Sequence, residues 1–333
     1  MSDSNRPGEF ELIARYFAPL AAGDGTFELL DDAATVKVPE GHDLVMTLDT
    51  LAANVHFFSD DPAASIAWKA LAVNASDLAA KGAEPIGYLL SLALPKDWNE
   101  PWLADFADGL AKAQDAFGLT LIGGDTIRSN GGLQVAITAY GAVQAGKMVR
   151  RSGASPGDFI YVTGTIGDGA LGLQARQENE KWLSWGLSEP HTNHLVDRYL
   201  HPQPRLALRY AVRSFAEASM DISDGLVGDL AKMCGVSRVG AQIDLDHLPL
   251  SEAVCVALDH AREALQMAVT GGDDYELLIA VSPDKQSDFE QAVSNACETV
   301  TCIGRFTEAT CGITWTGVNR PADTLKLGAF THF

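Results

Sequence analysis

The sequence predicts an α/β (α+β) protein of two domains, and three observations predict it. Apolar runs of strand length alternate with helical periods, a turn-rich stretch separates two such series, and 333 residues at 47% apolar content can fill two cores. In chain order, Phe10, Ile13, Ala14 and Phe17 recur at helical spacing, and a strand pair is expected around Thr35–Val38 and Leu44–Leu48. Asp61 as N-cap and Pro62 at the first helical position open a helix that closes near Gly82, with Pro85 beyond. Ile86–Leu94 has strand length, Pro101–Phe117 carries a second helical period that Gly118 ends, and Leu119–Ile122 and Leu133–Val143 are further strands. Ser-Gly and Pro-Gly turn signals fill Arg150–Asp158 (RRSGASPGD), which sets the expected boundary between domains 1–150 and 151–333. Beyond it come a strand at Phe159–Thr163 and a glycine-rich loop at Gly164–Gly172. Strand and helix then alternate through Tyr275–Val281 and Ser287–Cys297, without repeats or low-complexity tracts.

Twenty-four Lys and Arg against 44 Asp and Glu give a formal charge of -20, shared equally on either side of residue 150. An evenly acidic surface repels phosphate backbones and anionic lipid, so neither a nucleic-acid nor a membrane partner is expected, and an anionic substrate would need cations. The five cysteines, Cys234, Cys255, Cys297, Cys302 and Cys311, are odd in number and lack Cys-x-x-Cys spacing, so they read as reduced. With no signal-peptide pattern and no apolar run near the ~18 residues that span a bilayer, a cytoplasmic location is expected.

Asp77 is the most informative single position. Projection at about 100° per residue puts it, with Asn74, inside the apolar stripe of its helix, where a carboxylate costs several kcal/mol unless paired or bound to metal. A buried ion pair is the plain alternative. Metal binding draws support from Asp31-Asp32, Asp49, Asp125, Asp221, Asp224 and Asp273-Asp274, which stand where strands are expected to end. Gathered carboxylates repel one another, and Mg²⁺ or Ca²⁺, which choose oxygen ligands, relieve this; no His/Cys ligand set competes. Each acid alone reads better as a turn or cap residue, Asp224 before Gly225-Leu226 in particular. Gly123-Gly124 and Gly271-Gly272 allow close approach to a phosphate, but no Walker A loop occurs. A rival signal, Gly167-x-Gly169-x-x-Gly172, follows an expected strand as a dinucleotide fingerprint would, and supports an NAD-linked oxidoreductase; no acid-terminated second strand follows it. Arg151, with Arg150 as fallback, is either a phosphate clamp or an exposed linker charge. His56 either orients a substrate or caps a strand end.

Taken together and in order, several segments carry a resemblance. They are Gly8 to Phe17 (GEFELIARYF), Thr47 to Leu51 (TLDTL), Asn54 to Phe57 (NVHF), Lys69 to Ala80 (KALAVNASDLAA), Ile122 to Thr126 (IGGDT), Arg151-Ser-Gly, Tyr161 to Gly164 (YVTG), Asp221 to Leu226 (DISDGL) and Gly271 to Leu277 (GGDDYEL). So arranged, the chain resembles the thiamine-monophosphate kinases of the aminoimidazole-ribonucleotide synthetase-like ATP-binding superfamily. Selenophosphate synthetases of that superfamily use an N-terminal Cys or selenocysteine, whereas no Cys precedes residue 234 here. Another ATP-dependent enzyme of the superfamily, and a noncatalytic Ca²⁺-binding protein, remain alternatives.

The resemblance implies ATP-dependent, Mg²⁺-assisted phosphorylation of thiamine monophosphate to thiamine diphosphate by direct in-line transfer. It implies two α/β domains, an N-terminal mixed sheet that is covered by helices and pairs across a homodimer, a C-terminal α/β sandwich, and ATP between the domains. By position it assigns Mg²⁺ to Asp32, Thr47, Asp49, Asp77, Asp125, Asp221 and Asp224, and ATP to Gly124, Asp125, Arg151 and Ser223. Thiamine phosphate falls to His56, Asp273 and Phe330, and the catalytic roles to Asp77, Asp125 and Arg151. Two departures stand out. Leu48 occupies a place where relatives carry a hydroxyl, so only its carbonyl is available to metal, and Glu28-Leu29-Leu30 replaces a Gly-rich approach to Asp31-Asp32.

Overall fold

The computed structural model describes residues 7–23, 25–177 and 184–320. These divide into two compact units. One runs to Gly146 without Ala79–Gly82; the other takes in Ala79–Gly82 and begins again at Lys147.

The first unit opens with α1 (Glu9–Leu12), continued by a helical turn at Ile13–Phe17. Its sheet has the order β1-β4-β2-β3, from β1 (His42–Ala52), β2 (Glu84–Leu94), β3 (Thr120–Arg128) and β4 (Gln134–Gln144). β4 is antiparallel to both β1 and β2, while β2 and β3 are parallel and joined by the crossover helix α3 (Glu100–Phe117). Sequence fixes both ends of α3. The Asn99 side chain accepts from the Trp102 N–H at 2.9 Å, Pro101 sits in the first turn, and Gly118 takes φ 66° at the C-cap. α2 (Ala63–Ala80) is almost entirely buried all round, and not only along the one apolar stripe that helical projection indicates. Strand alternation gives the sheet one buried face, with Val45, Leu51, Tyr88, Leu90, Leu92, Val135 and Ile137. Met46 and Leu48 point the other way and are 63% and 61% exposed.

Two expectations in this unit need correction. Thr35–Val38 forms no strand, because its Thr35 N–H is taken by the Gly25 carbonyl at 2.9 Å and Pro39 ends the segment. The short strand expected at Leu119–Ile122 runs on to Arg128, so Asp125 lies within a strand and not beyond it, as Asp49 does in β1.

The second unit is a six-stranded sheet of order β10-β7-β9-β5-β8-β6. Its strands are β5 (Phe159–Thr163), β6 (Ala216–Ile222), β7 (Val239–Asp244), β8 (Glu276–Val281), β9 (Val300–Glu308) and β10 (Ile313–Thr316). Only the β10–β7 pairing is parallel. The helices are α4 (Asp168–Arg176), α5 (Glu189–Leu200), α6 (Arg209–Phe215), α7 (Leu226–Ser237), α8 (Glu252–His260), α9 (Glu263–Thr270) and α10 (Gln286–Asn295). β8 is buried at every residue, which its unbroken Leu-Leu-Ile-Ala-Val run foretells for a central strand. At its start the buried Glu276 is held by the Arg205 guanidinium through Nε at 2.6 Å, by Thr163 Oγ1 at 2.6 Å and by Arg198 at 3.3 Å. These donors leave the carboxylate paired in the interior. The architecture is thus two mixed α/β domains, as the sequence predicts.

Candidate active site

In the first unit the site residues fall into two groups. Thr47 and Asp49 share the strand face of the buried Val45 and Leu51, and there Thr47 Oγ1 donates a hydrogen bond to Asp77 Oδ2 on α2. Asp77 is only half-buried, so it is not the interior charge that helical projection alone suggests. The second group lines a cavity of about 690 Å³ with Asp31, Asp32, Leu48, Gly124, Asp125 and Tyr140 on its walls. Register aligns Leu48 with Thr138, Leu89 and Gly123, and one row on Ser91 pairs with Asp125. The Leu48 side chain therefore faces the cavity, and the flanking Thr47 and Asp49 face away from it. Gly124 has a structural reason as well as a candidate functional one, since a Cβ there would stand 2.0 Å from the Leu90 carbonyl oxygen.

His56 lies just beyond β1. Its Nδ1 accepts the Ala52 N–H at 3.1 Å, which leaves the proton of the neutral ring on Nε2. The buried Lys69 of α2 donates to the His56 carbonyl at 3.1 Å, so this loop is anchored from below by a charge that the sequence reading passed over. A lysine inside an Ala-Leu-Val helix face was the signal available.

In the second unit the Asp221–Leu226 and Gly271–Leu277 motifs are brought together. Ser223 O accepts from the Asp273 N–H at 3.0 Å and Ile222 O from Tyr275 N–H at 2.9 Å. Asp273 and Tyr275 take φ of 72° and 51°, the left-handed region that Asp tolerates at modest strain. Gly272 is required by contact, because a Cβ would approach Ser223 O to 2.2 Å. Asp221 is buried in β6 opposite Leu277. Asp224 is ion-paired with Lys232, and Asp229, a residue the sequence reading missed, accepts the N–H groups of both Ser223 and Asp224 at 3.0 Å. Burial pushes the Asp229 carboxyl up, and the Lys232 ammonium at 2.9 Å opposes this. The Asp-x-x-Lys spacing on the helix after the Asp221 motif was the signal for this pair. Arg151 is exposed, as is Arg150, whose carbonyl accepts from Ser219 N–H at 2.9 Å.

The glycine-rich loop does something other than hold a dinucleotide. The N–H groups of Gly167 and Gly169 donate to the buried carboxyl group of Asp274 at 2.8 and 3.0 Å, so the amides that would cradle a pyrophosphate are engaged by the chain's own side chain. Burial drives the Asp274 carboxyl well above its usual range, against the pull of these two amides. Gly169 and Gly172 serve packing, with Cβ positions 2.2 Å from Asp273 O and 2.1 Å from Leu195 O. Next to them Asp168 accepts from Thr165, from Ser251 and from His194 Nε2, the last at 3.2 Å. Burial would raise the Asp168 carboxyl, but these donors hold it below its ordinary value, and Asp168 in turn raises His194.

Among the described residues no three His, Cys, Asp or Glu side chains stand together as a ready metal cage. The donor chemistry nevertheless fits Mg²⁺. The candidates are oxygen ligands in ones and twos, and this ion keeps several waters and takes one or two carboxylates beside substrate phosphates. Phe330 lies outside the described residues. Among the described residues no helix is long and apolar enough to cross a membrane.

Comparison with known proteins identifies the family. Residues 30–143 match the AIR synthase related protein N-terminal domain, and residues 155–315 match the corresponding C-terminal domain. The chain is 40% identical over 328 residues to the thiamine-monophosphate kinase of Salmonella typhimurium, covering 98% of each. Among solved structures it is similar to the thiamine-monophosphate kinase of Stenotrophomonas maltophilia, at 39% identity and TM-score 0.77, covering 86% of this chain and 90% of that one. It is also similar to AaThiL complexed with AMPPCP and TMP, at 28% identity and TM-score 0.75, covering 100% of both chains. The chain belongs to the thiamine-monophosphate kinases, phosphotransferases built from the two AIR synthase related domains.

Proposed function

We propose that this chain transfers the γ-phosphoryl group of ATP directly to the phosphate of thiamine monophosphate, giving thiamine diphosphate and ADP. The observation that carries the reading is the full-length likeness to thiamine-monophosphate kinases, together with a relative whose complex holds an ATP analogue and TMP. The acceptor brings its own nucleophile, because a phosphate monoester with a second pKa of about 6 is mostly dianionic at pH 7. No side chain need remove a proton. What the protein must overcome is the repulsion between two anions held in line.

Mg²⁺ supplies charge neutralisation and a template for the phosphates. Several Mg²⁺ ions are proposed, held by Asp32, Thr47, Asp49, Asp77, Asp125, Asp221 and Asp224, with the carbonyl of Leu48. Gly124, Asp125, Arg151 and Ser223 bind ATP, and the guanidinium of Arg151 clamps phosphate oxygens in two hydrogen bonds. His56 presents Nε2–H to the acceptor, held in that tautomer by Ala52 N–H. Asp273 faces the cationic thiazolium or a metal-bound phosphate, and Phe330 completes the acceptor side. The NAD reading loses its support where Asp274 takes the loop amides.

Domain 1–150 carries nucleotide, metal and the dimer contact, and domain 151–333 the remaining ligands. A homodimer is supported by the exposed apolar side chains of Leu44 and Met46 on the open sheet face, outside the cavity lining, which a second copy would bury. The even negative charge and reduced cysteines support a cytoplasmic enzyme without nucleic-acid or membrane partners. ADP release from Mg-ATP with and without thiamine monophosphate tests the proposal, which expects release to depend on the acceptor.

A further inference from the structure

We infer that Lys232 competes with a divalent cation for Asp224 and thereby sets the metal affinity of the second unit. The inference rests on the proposed role of Asp224 as a metal ligand. Asp229, near the start of α7, is fully buried and uses both carboxylate oxygens. Oδ2 accepts the Ser223 and Asp224 N–H groups at 3.0 Å, and Oδ1 takes Lys232 Nζ at 2.9 Å. The same Nζ donates to Asp224 Oδ2. On the other side of the loop Gly225 takes φ 99°, and a Cβ there would meet Gly271 O at 2.7 Å. The backbone from Ser223 to Gly225 is therefore held from two sides, and the Asp224 carboxylate has a fixed position beside one ammonium.

A metal ion that takes Asp224 must displace Lys232 or bear its charge at close range. Displacement leaves no buried carboxylate unpaired, because the contact of Lys232 with Asp229 Oδ1 is separate from its contact with Asp224. Lys232 thus has a partner to stay with, and Asp224 can change partners. Removing the charge at residue 232 then strengthens metal binding by about tenfold, the effect of one pK unit of like-charge repulsion. A lysine that merely held the loop in shape would give the opposite sign or none.

The test measures Mn²⁺ binding to the full chain without nucleotide, from the electron paramagnetic resonance signal of the free ion. Lys232→Met is expected to bind Mn²⁺ about tenfold more tightly, and Lys232→Arg to match the parent. Lys232→Gln, which keeps a donor for Asp229, serves if Lys232→Met does not fold, and the same tightening is expected. In an Asp224→Asn background the tightening should vanish. Unchanged or weaker binding in the charge-removed variants, with Asp224→Asn weaker than the parent, overturns the role of Lys232 and leaves Asp224 a ligand. Parent-like binding by Asp224→Asn overturns the ligand assignment and the role of Lys232 with it.

Discussion

Thr47 Oγ1 donates a hydrogen bond to Asp77 Oδ2, which joins the middle of β1 to the last turns of α2 through two proposed metal ligands. The link lies on the covered side of the sheet, whereas Asp32 and Asp125 line the cavity on the open side. The carboxylates proposed to hold metal therefore stand on two faces of one sheet.

Asp77→Asn keeps the shape of the side chain and a partner for Thr47 but removes the charge. ATP turnover is expected to fall by roughly two orders of magnitude or more, with little change in thermal unfolding, because Asp77 is half-buried. Steady-state kinetics beside a melting curve would check it. A variant that unfolds yet keeps its turnover per folded molecule would make Asp77 a structural ion-pair member.

Gly169→Ala places a Cβ 2.2 Å from Asp273 O, so the loop bearing Asp273 must shift. Overpacking of this kind costs about 1–3 kcal/mol, and the KM for thiamine monophosphate should rise with it. No NAD binding is expected in the parent or the variant, and calorimetry that finds micromolar NAD affinity would contradict the assignment of the loop amides to Asp274.

Much of the fold was legible because its signals are local. Asn99, Pro101 and Gly118 bound α3, and the unbroken apolar run of β8 marks a central strand. Thr35–Val38 misled because its pattern suits a strand while its amide is taken by a loop. The backbones of the Asp221–Leu226 and Gly271–Leu277 motifs meet through Ser223 and Asp273, which no local pattern in either motif specifies. The engagement of Gly167 and Gly169 by Asp274, and of the Asp224 amide by Asp229, was not legible, since a glycine fingerprint looks the same whether its anion is a ligand or a distant carboxylate.

Asp273→Ala should raise the KM for thiamine monophosphate more than that for ATP, while Asp125→Ala should damage ATP and Mg²⁺ use. Equal KM effects of Asp273→Ala on both substrates would remove Asp273 from the acceptor side.

The His194–Asp168 pair makes stability depend on pH. Hydrogen bonding to Asp168 raises His194 above its ordinary value of about 6.5, so its contribution is full below that pH and is lost as pH rises through the folded value. The lowered Asp168 makes its own contribution above about pH 4, which is lost in acid. His194→Gln should therefore lower the melting temperature more at pH 6 than at pH 8. The imidazole is 45% exposed, so the difference should be small and should shrink with added salt.

Direct transfer between the two phosphates is tested most directly with γ-labelled ATP. With Mg²⁺ and thiamine monophosphate, label should appear in thiamine diphosphate at the rate of ADP release, and without the acceptor the protein should stay unlabelled. Label held covalently on the protein at a rate matching turnover, or ADP release indifferent to thiamine monophosphate, would contradict it.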